Sequence, residues 1–160
     1  MIGGLRVITV APTYVSGSLA NLFLGVWRRE ASMAGVDGLY GDMGALARAW
    51  PAGIGIVLFI EPQTILPTPD VREHLIQQRR AIAPHLLAAA VVAPGESLWG
   101  STVRTIAVTL GLSSGANYPS KSFAALEPAA EWQVASMGAD FGVPADAIVR
   151  GVASLRAQTA

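Results

Sequence analysis

A chain of 160 residues is the size of one domain, and with 52% hydrophobic and only 14% charged residues it must bury a core rather than behave as a disordered tail. Eleven basic residues cancel eleven acidic ones, which removes the clustered positive charge a general nucleic-acid binder needs, so no nucleic-acid partner is expected. The absence of cysteine excludes a disulfide scaffold and thiolate chemistry.

The opening residues show no basic stretch followed by an apolar one, so no secretory signal is expected. The apolar runs at 54–60 and 81–93 are too short, or interrupted by Pro84 and His85, to cross a bilayer. A chain without a transmembrane segment, in the cytoplasm, is the expectation. Its mean hydropathy of +0.46 is high for so small a chain and points to a crowded core, an oligomer contact, or both.

Residues 5–10 alternate with the period of a half-buried strand, and Pro12, Gly17 and Ser18 then mark a turn. Leu22–Trp27 alternates again, so the two runs predict a hairpin with a long loop. Val36, Leu39, Tyr40, Met43, Leu46, Ala47 and Trp50 form one helical stripe, ended by Pro51 and Gly53. That helix carries Gly35, Gly38, Gly41 and Gly44, each costing about 1 kcal/mol relative to alanine. Either the helix tolerates them or they let another backbone approach closely.

Ile54–Ile60 is an unbroken apolar run, the mark of a strand covered on both faces. After a Pro/Thr-rich loop, Pro69 and Asp70 open a helix whose apolar positions are Val71, Leu75, Ile82 and Leu86. Arg72, Glu73, Gln77, Arg79 and Arg80 are assigned to its solvated side. Residues 87–93 predict a second buried strand, and 98–112 a helix with Leu98, Thr102, Val103, Ile106, Ala107 and Leu110 inward. A loop over 111–119, a short strand at 120–124 and helices at 128–137 and 144–158 complete the chain. The order β-β-α-β-α-β-α-β-α-α implies an α/β domain with a mixed, largely parallel five-stranded sheet over residues 1–136. Residues 137–160 form a helical extension, docked on the domain or on a partner.

No catalytic set emerges. Gly111-Leu112-Ser113-Ser114-Gly115 matches the hydrolase pattern G-x-S-x-G, but it follows a helix and enters a loop, the wrong setting for an exposed nucleophile. Asp70 and His74 have the spacing of a metal-ligand pair, yet zinc needs a third ligand that no cysteine or further nearby histidine supplies. The clusters Arg28-Arg29-Glu30 and Arg79-Arg80 fit a solvated surface. No metal, cofactor or catalytic residue is therefore expected. The loops after the two buried strands stand where open α/β sheets bind ligands, and from them come the candidates Glu61, Thr64, Thr68, Asp70, Gly95, Glu96 and Ser97.

The order of elements, together with Ile-Val-Leu-Phe-Ile-Glu-Pro at 56–62, Pro-Asp-Val-Arg at 69–72, Ala-Val-Val-Ala-Pro-Gly at 90–95 and the stretch from Tyr118 to Trp132, resembles the bacterial STAS/SpoIIAA-like proteins. That group overlaps in name with Sec14-like domains. The resemblance covers residues 5–134 and implies a non-enzymatic regulatory module that binds other proteins. Anti-sigma-factor antagonists of the group carry a phosphorylatable Ser in an Asp-Ser-Ser-Gly-type motif; residues 61–70 contain no Ser, so that switch is not expected. The alternative, suggested by the Sec14-like label and the low charge, is a carrier or sensor of an apolar small molecule or lipid. A homodimer is also expected, through the stripe Ile148, Val149, Val152 and Leu155 or through the glycine-lined helix.

Overall fold

The computed structural model describes residues 4–62, 64–113, 115 and 117–159. Six strands form one sheet in the order of the sequence: β1 (Arg6–Val10), β2 (Tyr14–Leu19), β3 (Leu22–Trp27), β4 (Ile54–Ile60), β5 (Leu86–Val92) and β6 (Ser120–Phe123). The first three pair antiparallel and the last four pair parallel, so the sheet is mixed and mostly parallel as expected. The helices are α1 (Met33–Ala49), α2 (Pro69–Ile82), α3 (Leu98–Ser113), α4 (Leu126–Met137) and α5 (Ala145–Arg156).

The sheet has six strands where five were expected. Residues 14–19 are a strand lying between the two runs predicted to pair directly, and all six of its residues are buried. Ser16, Gly17 and Ser18 suggest a turn by composition. Their small size instead suits a covered strand: a Cβ on Gly17 would stand 2.8 Å from the Arg6 carbonyl oxygen and 3.1 Å from Leu155. The true turn is the two-residue link Ala20-Asn21 between the paired Leu19 and Leu22, with Ala20 at φ 52°.

Successive parallel crossovers of one hand place α1, α2 and α3 on the same face of the sheet. There Val36, Leu39, Met43 and Leu46 pack on Phe23, Ile54, Ile56 and Leu58. The glycines of α1 divide. A Cβ on Gly38 would stand 2.5 Å from the Tyr14 hydroxyl oxygen and one on Gly35 3.0 Å from the Trp27 ring, so these two make room for side chains of β2 and β3 rather than for another backbone. Gly41 faces open space and Gly44 only the tip of Arg48.

Helices α4 and α5 return over the opposite face, where Leu22, Leu24, Val26, Val57 and Val92 meet Ala129, Ala130, Ile148, Val152 and Leu155. The last three side chains have no exposed surface, and Val149 packs on the same cluster. The stripe offered as an oligomer contact is thus spent inside its own chain, and residues 145–156 complete the domain core. Arg28 reinforces this by donating from Nη1 to the Gln158 carbonyl at 2.6 Å, and Arg156 lies 4.4 Å over the Phe59 ring. No helix among the described residues is long and apolar enough to cross a membrane.

Candidate functional site

The two loops singled out by the sequence meet at the carboxyl ends of β4 and β5. The Trp99 indole N–H, in the first turn of α3, donates to the Thr64 carbonyl at 3.1 Å and joins them. The loop after β4 is also tied back to the β3–α1 connection, where the Ile65 N–H donates to the Arg29 carbonyl at 2.7 Å.

The individual candidates in these loops are occupied with local structure. Glu61 accepts from Nε and Nη2 of Arg156, both at 2.8 Å, and the pairing lifts the Arg156 pKa above its ordinary value. Thr64 is buried and donates its hydroxyl to the Glu61 carbonyl at 2.7 Å. Thr68 donates to the Asp70 carboxylate at 2.6 Å at the start of α2, which lowers the Asp70 pKa. Ser97 accepts from the Gly100 N–H at 3.3 Å and so caps α3. Gly95 turns the chain at φ 94°, and Arg104 closes that turn by donating to the carbonyls of Ala93 and Gly95 at 2.7 and 2.9 Å. Glu96 is exposed. Gln63, within the first loop, and Ser114, in the G-x-S-x-G stretch, lie outside the described residues.

Beneath the first loop is a cavity of about 90 Å³ with an almost wholly apolar lining. Its roof is Thr64, Ile65, Leu66 and Pro67; Leu58, Ile60 and Val91 of the sheet form its floor. Trp27 and Tyr40 close one side, Leu75 and Arg79 of α2 another, and Val103, Ile106, Ala107 and Leu110 of α3 the third. Two expectations about these helices change here. Leu98 is 83% exposed rather than inward, because it stands on the first turn of α3 at the rim. Arg79 is 8% exposed rather than solvated.

Arg79 donates from Nε to the Tyr40 hydroxyl and from Nη1 to the Tyr118 hydroxyl, both at 3.2 Å. No described carboxylate lies in ion-pair range of it. Burial works against its charge, but the two tyrosine oxygens outweigh burial and hold its pKa above the ordinary value. The guanidinium is therefore a permanent cation in an apolar wall. A signal for it was present in the sequence: Val71, Leu75 and Arg79 follow at intervals of four, so Arg79 continues the inward row of α2. The helix had to bury either an arginine or nothing at that position.

Comparisons with protein-family models, with curated proteins and with solved structures find no match. The chemistry of the site must speak for itself. His74, spaced to pair with Asp70, meets Asp37 of α1 instead, at 2.6 Å. Among the described residues no three His, Cys, Asp or Glu side chains gather as a metal centre would require. A cavity with apolar walls and one buried cation is suited to holding a molecule.

Proposed function

We propose that the chain is a non-enzymatic regulatory module of STAS-like type that senses or carries a small apolar molecule. The observation that carries this reading is the cavity under residues 64–67, bordered by three helices and the sheet at the carboxyl end of the parallel strands. Open α/β sheets bind ligands at that end, and apolar walls with few polar groups favour an apolar guest. Native mass spectrometry of the freshly purified full chain tests it. A mass above that of the bare chain is expected, and Ala107→Phe, which fills the cavity, should abolish the difference. A bare-chain mass together with no thermal shift from any small apolar compound would overturn the reading.

A second reading, binding of a protein partner at the same rim, is favoured by Ile65 at 65% exposure and Leu98 at 83%, on either side of the Thr64–Trp99 bond. Leu98→Ser should weaken capture of such a partner without changing occupancy of the cavity.

A further inference from the structure

We propose that the molecule held in the cavity is a small apolar carboxylic acid, its carboxylate on Arg79 and the Tyr40 hydroxyl and its hydrocarbon against Leu58, Val103 and Ile106. The proposal rests on the cavity being a ligand site and adds the chemical class of the ligand.

Three observations converge on an anion. A buried guanidinium is costly to remove from water unless a negative group faces it, yet among the described residues the side chains that accept from Arg79 are two neutral hydroxyls. Arginine has five N–H donors, and the bonds to Tyr40 and Tyr118 use only those on Nε and Nη1, so Nη2 keeps an accessible donor with which to meet a ligand. Tyr40 accepts from Arg79 Nε, which leaves its own hydroxyl proton to donate, and both residues line the cavity. The cavity wall thus offers a fixed cation beside a hydroxyl donor, a match for the two oxygens of one carboxylate.

Size and charge narrow the class. About 90 Å³ has room for a short or single-ring hydrocarbon. One guanidinium balances one negative charge, so a phosphate dianion would be left half-neutralised in an apolar wall. Leu58, Ile60, Val103, Ile106 and Leu110 offer no polar side chain to a second polar end, and the Thr64 hydroxyl already donates to the Glu61 carbonyl. A monocarboxylate meets all three conditions.

The test is calorimetric titration of the full chain with butanoate, hexanoate and benzoate, each beside its amide, which has nearly the same shape and no charge. At least one acid should bind about tenfold or more tightly than its amide. Arg79→Met, which keeps the length of the side chain, should bring acid and amide together, with the acid losing more affinity than the amide. Tyr40→Phe should lower the acid's affinity by a smaller factor. Equal binding of acid and amide by the unaltered chain would overturn the proposal and leave the cavity reading standing. A preference for acid that survives Arg79→Met would overturn it as well. No binding of any of the six would overturn both. Should Arg79→Met fail to fold, the acid–amide comparison on the unaltered chain decides alone.

Discussion

The two faces of the sheet are finished differently. Under α4 and α5 the apolar residues interlock until Ile148, Val152 and Leu155 have no exposed surface. Under α1, α2 and α3 the packing stops short, leaving a cavity with a charged group in its wall. Both faces draw on the same strands, whose side chains alternate between them: Val57 and Phe59 go one way, Ile56 and Leu58 the other. The open region is therefore not a shortage of apolar residues. It lies where three helices and a loop converge around Arg79, whose guanidinium cannot pack as a hydrocarbon.

The sharpest way to break this comparison is to remove equal side chains from the two faces. Leu155→Ala should cost about 2–5 kcal/mol, as for a fully buried leucine, with an earlier urea midpoint and an unchanged slope. Leu75→Ala, on the half-buried cavity wall, should cost less, about 1–2 kcal/mol. Equal costs would mean that the cavity face is as tightly filled as the other. A smaller effect separates the glycines of α1. Gly41→Ala should stabilise by about 0.5–1 kcal/mol, since its Cβ meets nothing, whereas Gly38→Ala should destabilise because Tyr14 must move. Thermal unfolding of the two variants checks the opposite signs.

The smallest effect concerns the loop that roofs the cavity. Thr68→Val removes the hydroxyl that holds the Asp70 pKa below its ordinary value, so the Asp70 carboxyl should titrate at higher pH by NMR. Because the folded value is depressed, the bond's contribution to stability is complete above pH 3.8, the ordinary value, and fades as pH falls through the folded one. The acid limb of the stability profile should therefore begin slightly earlier in the native chain than the loss of Asp70's charge alone would suggest, and Thr68→Val should flatten that part of it.

Legibility in the sequence followed periodicity. The helices over 33–49, 69–82 and 145–156 and the strands Ile54–Ile60 and Leu86–Val92 stand close to where apolar spacing placed them, because each buries one unmixed stripe or run. Strand β2 was hidden because Ser16, Gly17 and Ser18 were chosen by what lies over them, not by the strand's own preference. The strand–helix alternation also placed the loops after β4 and β5 at the strands' carboxyl ends, but not the roles of their side chains. Thr64, Thr68, Asp70 and Ser97 are polar in order to build the loops. Arg79 was passed over because charge ordinarily marks solvent, although its interval of four from Leu75 placed it inward.

The strand order 1 to 6 also has a consequence in time. Each strand, as the ribosome delivers it, can join the edge of a sheet that is already made, with no gap to be filled by a later segment. The crossover helices come in the same succession, so the face bearing the cavity can be clothed progressively. The opposite face cannot: Leu22, Leu24, Val26 and Val57 stay bare until α4 and α5 have been synthesised. A nascent chain halted before residue 145 would carry a finished sheet whose β2 and β3 lack the cover of α5, the form most exposed to chaperones and to its own neighbours on the polysome.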